Sequence, residues 1–215
     1  MTLSELFEEF TKHEALLVHC STPAKTKGPP PPGSSGRATL YFPEDMTTAK
    51  KLFEAGTQRL CCSVVWPAHP DAWGDIGLVL KPHDVASIVD VCPIDAGTPS
   101  DSSMGSGLGK PFCEQSVSET FKQPSGTHNE WGIRGAEIIG IFIKPNCDKP
   151  RVATLHKLSD LPGYDASMGD QSIVAERGVQ LSEIEDNFPG LPLYTFHDGK
   201  VIDLRPNYAT PYSET

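Results

Sequence analysis

Apolar residues in this chain come in short runs closed by proline or glycine, and run follows run with no helix of regular length between them. Leu60-Cys61-Cys62-Ser63-Val64-Val65-Trp66 and Ile76-Gly77-Leu78-Val79-Leu80 read as consecutive strands, and Ile88-Val89-Asp90-Val91 as another. Ala15-Leu16-Leu17-Val18-His19-Cys20 reads as a buried strand before them. The strongest strand is Ile138-Ile139-Gly140-Ile141-Phe142-Ile143, stopped by Pro145, with Val152 to Leu158 as the expected partner. Further on, Leu193-Tyr194-Thr195-Phe196-His197 and Lys200-Val201-Ile202-Asp203-Leu204 flank Asp198-Gly199, a hairpin signal because both residues tolerate positive φ. A doubly wound parallel sheet needs a crossover helix after each strand, so this succession predicts mixed or antiparallel sheets and an α+β class.

The expected helices are short and peripheral. Thr2 and Glu5 have capping-box spacing, and Leu3, Leu6, Phe7 and Phe10 make one apolar face. A second helix is expected after Pro43, with Met46, Ala49, Leu52 and Phe53 inward and Gly56 as its stop. Ser116 and Glu119 are placed to cap a third, and residues 170–187 read as one or two more, punctuated by Gly178.

The chain of 215 residues reads as a single domain, residues 1–215. At that size folding removes roughly 70% of the unfolded surface from water without help from metals or disulfides. Residues 22–36, with four consecutive prolines and Gly33-Ser34-Ser35-Gly36, are expected to form a mobile loop over or beside a site. A second long loop is expected over 96–111. The net charge of −10 argues against a broad nucleic-acid or anionic-membrane surface. Residues 22–42 nevertheless carry Lys25, Lys27 and Arg37 and no acid, a local patch compatible with a phosphate or with a solvated loop. No apolar run approaches the ~20 residues of a membrane span. No basic patch precedes an apolar stretch at the start. The six cysteines form no C-x-x-C pair and lack zinc-ligand spacing, so free thiols in a reducing cytosol are expected, with no metal.

Three places hold residues fit for chemistry. Glu130, in His128-Asn129-Glu130-Trp131, stands where a loop enters the core, with Trp131 as an apolar wall beside it. His128 shares its face if the backbone is extended, and a His-x-Glu pair suits acid–base work or stabilisation of a developing cation. The plain alternative is a carboxylate that caps a turn or pairs with Arg134. His19 interrupts an apolar strand just before the basic loop, with Ser21 on the same face; a satisfied core histidine is the plain alternative. Cys61-Cys62-Ser63 offers thiols that a histidine such as His69 or His128 would have to activate, whereas apolar surroundings favour inert thiols. Met104-Gly105-Ser106-Gly107-Leu108-Gly109 lacks the strand-to-helix setting of a phosphate loop.

Taken in chain order, these features resemble the ADP-ribosyltransferase superfamily, and most of all its compact bacterial toxin-type members. Leu17-Val18-His19-Cys20-Ser21 matches the first core strand with its histidine, Cys62-Ser63-Val64 the second with its hydroxyl, and Asn129-Glu130-Trp131 the strand with the catalytic glutamate. The apolar strand Ile138–Ile143 is similar to the one that often follows. The resemblance implies sheets around a central cleft, NAD as substrate, and Glu130 as the catalytic carboxylate. It further implies His19 on the adenosine-side ribose, Ser21 or the adjoining backbone on the nicotinamide amide, Ser63 on the nicotinamide side, and Arg37 or Lys25 on the pyrophosphate. The acceptor would be a nucleic acid or a protein, and a cognate antitoxin a possible partner. His128 stands where arginine-modifying members carry a second acidic or amide residue, which puts arginine modification in doubt. Residues 146–215 lie outside the match and read as a C-terminal extension packed on the core. Two other classes fit the same sequence. One is a non-catalytic acidic binding or immunity-type protein; the other is a cysteine-dependent hydrolase using Cys61 or Cys62.

Overall fold

The first strand, β1 (Leu16–Cys20), changes partner halfway along its length. The computed structural model describes residues 1–20, 43, 45–53, 59–70, 72, 74–94, 109–124, 127–157, 172–205 and 211–212. Around β1 they form α1 (Leu3–Lys12), α2 (Met46–Phe53), β2 (Leu60–Val65), β3 (Ile76–Pro82), β4 (Ile88–Cys92) and α3 (Glu114–Phe121). These are followed by β5 (Glu130–Ile133), β6 (Ala136–Ile143), β7 (Arg151–Lys157), β8 (Ser172–Gly178), α4 (Leu181–Asn187), β9 (Leu193–His197) and β10 (Lys200–Asp203). Eight strands make one mixed sheet in the order β10-β9-β6-β3-β1-β2-β5-β4, and β7 and β8 pair separately. All pairings in the large sheet are antiparallel except that of β6 with β9. The class is α+β, as the succession of apolar runs predicts.

Leu16, Leu17 and Val18 pair with β2, whereas Val18, His19 and Cys20 pair with β3. Val18 is the only residue held on both sides, so β1 parts from β3 at one end and from β2 at the other. Each parting exposes backbone polar groups inside the core, where leaving one unmade costs about 1–3 kcal/mol. At the first fork Tyr212 supplies the missing partner. Its hydroxyl accepts the Leu17 N–H at 2.8 Å and donates to the Leu80 carbonyl at 3.1 Å. Burial pushes the Tyr212 phenol well above its ordinary pKa, so it stays a donor. Its ring stacks on Phe7 at 5.1 Å and meets Phe10 edge-on at 5.3 Å. Residues at the end of the chain therefore complete the core, and β9 and β10 widen the main sheet through β6.

The helix α1 forms as its sequence dictates: the Glu5 amide donates to Thr2 Oγ1 and the Thr2 amide to Glu5 Oε2, at 3.2 and 2.7 Å. Its buried Leu6 and Phe10 press on the sheet, where Phe10 meets Trp131 at 5.9 Å and Phe121 of α3 at 6.2 Å. Asp198 and Gly199 close the β9–β10 hairpin, both at positive φ (48° and 76°). Three expectations need correction. The described part of the run Val152 to Leu158, residues 152–157, does not pair with β6, whose two edges are taken by β3 and β9. Residues 172–178 are strand β8 rather than helix, because β7 offers them an antiparallel partner from Arg151↔Gly178 to Lys157↔Ser172. The cap of α3 is Cys113, and Ser116 sits three residues inside, its hydroxyl accepting the Cys113 amide at 3.1 Å. The side chains of Leu52 and Phe53, Gly56, and the loop 22–36 lie outside what is described.

Replacing Tyr212 by Phe keeps the stacking and strands the Leu17 amide and Leu80 carbonyl. We expect a stability loss of about 1–3 kcal/mol in urea unfolding, with an unchanged m-value. An unchanged midpoint would show that the hydroxyl is dispensable at the fork.

Candidate functional site

Glu130 opens β5 at the end of a ladder. Cys61↔Gly132 and Cys62↔Trp131 pair β2 with β5, so the next rung sets Ser63 across from Glu130, while Cys92 of β4 faces Glu130 from the other side. Beyond that rung, the side chain of Asn129 replaces the backbone. Its Oδ1 accepts the Val64 amide at 2.7 Å and its Nδ2 donates to the Val64 carbonyl at 2.8 Å. Ser63 Oγ donates to the Asn129 carbonyl at 3.0 Å. All three residues are buried: Asn129 is 3%, Ser63 6% and Glu130 6% exposed. Glu130 is thus fixed by strand pairing on one side of its Cα and by a side-chain clamp on the other.

The ionic partner of Glu130 is Arg59, which precedes β2. Alternation along β2 places Arg59, Cys61 and Ser63 on one face, the face of Glu130. Arg59 Nη1 and Nη2 each lie 3.2 Å from Glu130 Oε1, and the Cys61 thiol donates to the same oxygen at 2.9 Å. These three contacts all fall on Oε1 and leave Oε2 to other partners. Arg59 is itself bound by Asp90 through Nε–Oδ2 at 2.9 Å and Nη2–Oδ1 at 2.7 Å. Two expectations change here. Trp131 is no wall beside the carboxylate, since alternation turns it to the opposite face, where it packs on Phe10 and, at 6.5 Å, on Phe112. Arg134 is exposed, and its amide bonds the Ser87 carbonyl instead.

His19 reaches this region by a different route. Alternation points Val18, not His19, toward the face of Ser63 and Glu130. His19 stands where β1 leaves β2, and its Nδ1–H donates to the Cys61 carbonyl at 2.8 Å. That bond fixes the tautomer, making Nε2 the basic nitrogen, and burial holds the ring neutral by lowering its pKa. His19 and Glu130 are therefore tied to the same residue, one through the carbonyl of Cys61 and the other through its thiol. Ser63 donates inward to Asn129, a positioning bond that sequence alone did not suggest. His128 is partly buried just upstream of the clamp. Ser21, Lys25 and Arg37 lie outside the described residues, so their expected roles have no geometry here.

The thiols are poorly set for attack. Burial, and then the neighbouring Glu130, push the Cys61 thiol up to about 12. Cys20 is likewise pushed up to about 12, and Cys62 well above its ordinary range, mainly by burial. His69, a possible base, lies against Trp66 at 4.6 Å, with Nε2 3.4 Å from the Thr127 hydroxyl. Among the described residues no group of His, Cys, Asp and Glu is arranged to hold a metal ion, and no helix is long and apolar enough to cross a membrane.

No protein-family model matches this chain, and no curated protein or solved structure matches it either.

At pH 8, iodoacetamide should label exposed Cys113 first, because its bonds to Ser116 lower its pKa. Cys20, Cys61 and Cys62 should stay unlabelled until the chain unfolds, as read by peptide mass mapping. Folding raises these thiols above their ordinary value of 9.0, so their contribution to stability is complete below that pH and is lost as pH climbs toward 12. Labelling of Cys61 in the folded protein at the rate of a free thiol would contradict this picture.

Proposed function

We propose that this protein is an NAD-dependent mono-ADP-ribosyltransferase of the toxin type, with Glu130 as its catalytic carboxylate. The observation that carries the reading is one convergence. A buried glutamate at the start of β5 stands across from a hydroxyl residue on β2, and Cys61, whose thiol holds that glutamate, takes the β1 histidine on its carbonyl from the other face of the sheet. In this reading the sheet parts around a cleft where β1 leaves β2.

The chemistry breaks the bond between nicotinamide and ribose. Nicotinamide leaves as a neutral molecule with the bonding electron pair, positive charge grows on the ribose, and an acceptor nucleophile attacks and loses its proton. Oε2 of Glu130 takes a hydrogen bond from a ribose hydroxyl and offsets that charge, while Arg59 and Cys61 hold Oε1 still. One arginine against two carboxylates leaves one formal negative charge at the cluster, the sign that a ribosyl cation requires. Backbone alternation supports the nicotinamide side as well. The Leu17 amide points toward β3, so the Cys20 amide and carbonyl point toward β2, beyond the last paired rung. A donor and an acceptor side by side complement a carboxamide. In this reading His19 lies on the adenosine-ribose side, and the macromolecular acceptor is a protein or nucleic-acid nucleophile. The suppressed thiols weigh against a cysteine-dependent hydrolase.

One observation favours a binding protein instead: Glu5, Glu8, Glu9 and Glu114 line a groove of about 390 Å³ between α1 and α3, the surface an acidic binding module would use.

Glu130→Ala separates the two readings. Arg59 keeps Asp90 as its partner in that variant, so the fold should survive. Nicotinamide release from NAD should fall by roughly 10²-fold or more. Unchanged turnover in a variant with a native melting curve would defeat the mechanism, and absence of turnover in the wild-type protein would defeat the enzyme reading.

A further inference from the structure

We propose that Asp90 is a positioning residue for Glu130, acting through Arg59; the inference rests on the transferase reading above. Asp90 does not bond Glu130 itself, and three features of the fold aim it at Arg59.

The first is a β-bulge. Ile88 pairs with Ile133 and Asp90 with Gly132, so Val89 is an extra residue without its own rung, 39% exposed to solvent. Without that insertion Val89 would stand across from Gly132, and Asp90 would turn to the other face. Bulges re-aim side chains in this way. The second is Gly132, where a Cβ would lie 2.5 Å from Arg59 Nε and 2.7 Å from Asp90 Oδ1. The third is Gly109, where a Cβ would lie 2.3 Å from that of Asp90. Side chains are therefore missing at the two places where they would push the ion pair aside.

The pair has an electrostatic role besides the geometric one. An arginine bonded only to Glu130 would fix the carboxylate and cancel its charge. With Asp90 taking two of its N–H groups, Arg59 can hold Oε1 while the cluster stays negative. Arg59 thus acts as a fixed strut, and Asp90 sets both its direction and its charge balance. The side chains of Arg59 and Asp90 keep 28% and 21% of their exposure, which places the strut at the rim of the site and Glu130, at 7%, inside it.

The test uses Asp90→Asn, which preserves shape and removes charge, and Gly132→Ala, which removes no charge and drives a methyl into the pair. Asp90→Asn should lower kcat for NAD turnover per folded molecule by about tenfold or more, with KM within about threefold. Gly132→Ala should act in the same direction, and the double variant should be little worse than either. A lower melting temperature with unchanged kcat would reduce Asp90 to a structural residue and overturn the proposal. A second readout needs no turnover. Asp90→Asn combined with Glu130→Gln leaves Arg59 with no carboxylate, so the double variant should lose more melting temperature than the sum of the singles. Additive losses would show that Arg59 does not link the two acids. If the wild-type protein does not turn over NAD, the transferase reading fails, and this cycle still decides whether the strut exists.

Discussion

Everything in the large sheet depends on Val18, the one residue of β1 paired on both sides. A strand that paired along its whole length with both neighbours would leave no backbone polar groups to be met by side chains. Because β1 exchanges β2 for β3 within a few residues, β4-β5-β2 and β3-β6-β9-β10 flank it within one eight-stranded sheet and overlap along β1 only at Val18. Side chains meet backbone polar groups at both partings. Tyr212 serves the fork toward β3, and His19 serves the fork toward β2. The phenol spends its hydroxyl on Leu17 and Leu80, and the imidazole spends Nδ1 on the Cys61 carbonyl.

The same substitution of side chain for backbone sets Glu130. The β2–β5 ladder stops one rung short, and Asn129 continues it with an amide that mimics a peptide group toward Val64. Ending the ladder there releases the chain on the upstream side while keeping Glu130 itself on a strand. Groups carried by strands with packed, bonded neighbours hold their positions more closely than groups on loops. Arg59, Cys61 and Ser63 extend that rigidity, since they project from alternate positions just before and along β2.

Local patterns were legible in the sequence wherever a residue's role depends on its chain neighbours. Thr2 with Glu5, Asp198 with Gly199, and the apolar runs of β1, β2, β3 and β6 all belong to this kind. What sequence did not disclose was partnership between distant segments. Ile173 and Val174 are compatible with helix or strand, and only the presence of β7 decides between them. Asp90 in the apolar run of β4 carried the same warning as His19 in β1, a polar residue in a strand. Its meaning depended on a bulge at Val89 that has no local signature. Arg59 was open to detection, because its spacing from Cys61 and Ser63 puts all three on one face. The apolar run that marks the strand begins only at Leu60, so the run by itself does not point to Arg59.

The thiol of Cys61 shows how far such a site departs from the sum of its residues. A cysteine beside an arginine is ordinarily a candidate nucleophile, since a nearby cation favours the thiolate. Here the guanidinium is already bound by Asp90 and Glu130, and burial outweighs what attraction remains, so the thiol keeps its proton and donates a hydrogen bond to Glu130 Oε1. The carboxylate gains a neutral donor that fixes Oε1 without reducing its charge. Burial and Glu130 keep Cys61 a thiol, and Arg59, itself bound by Asp90, shares Oε1 with it.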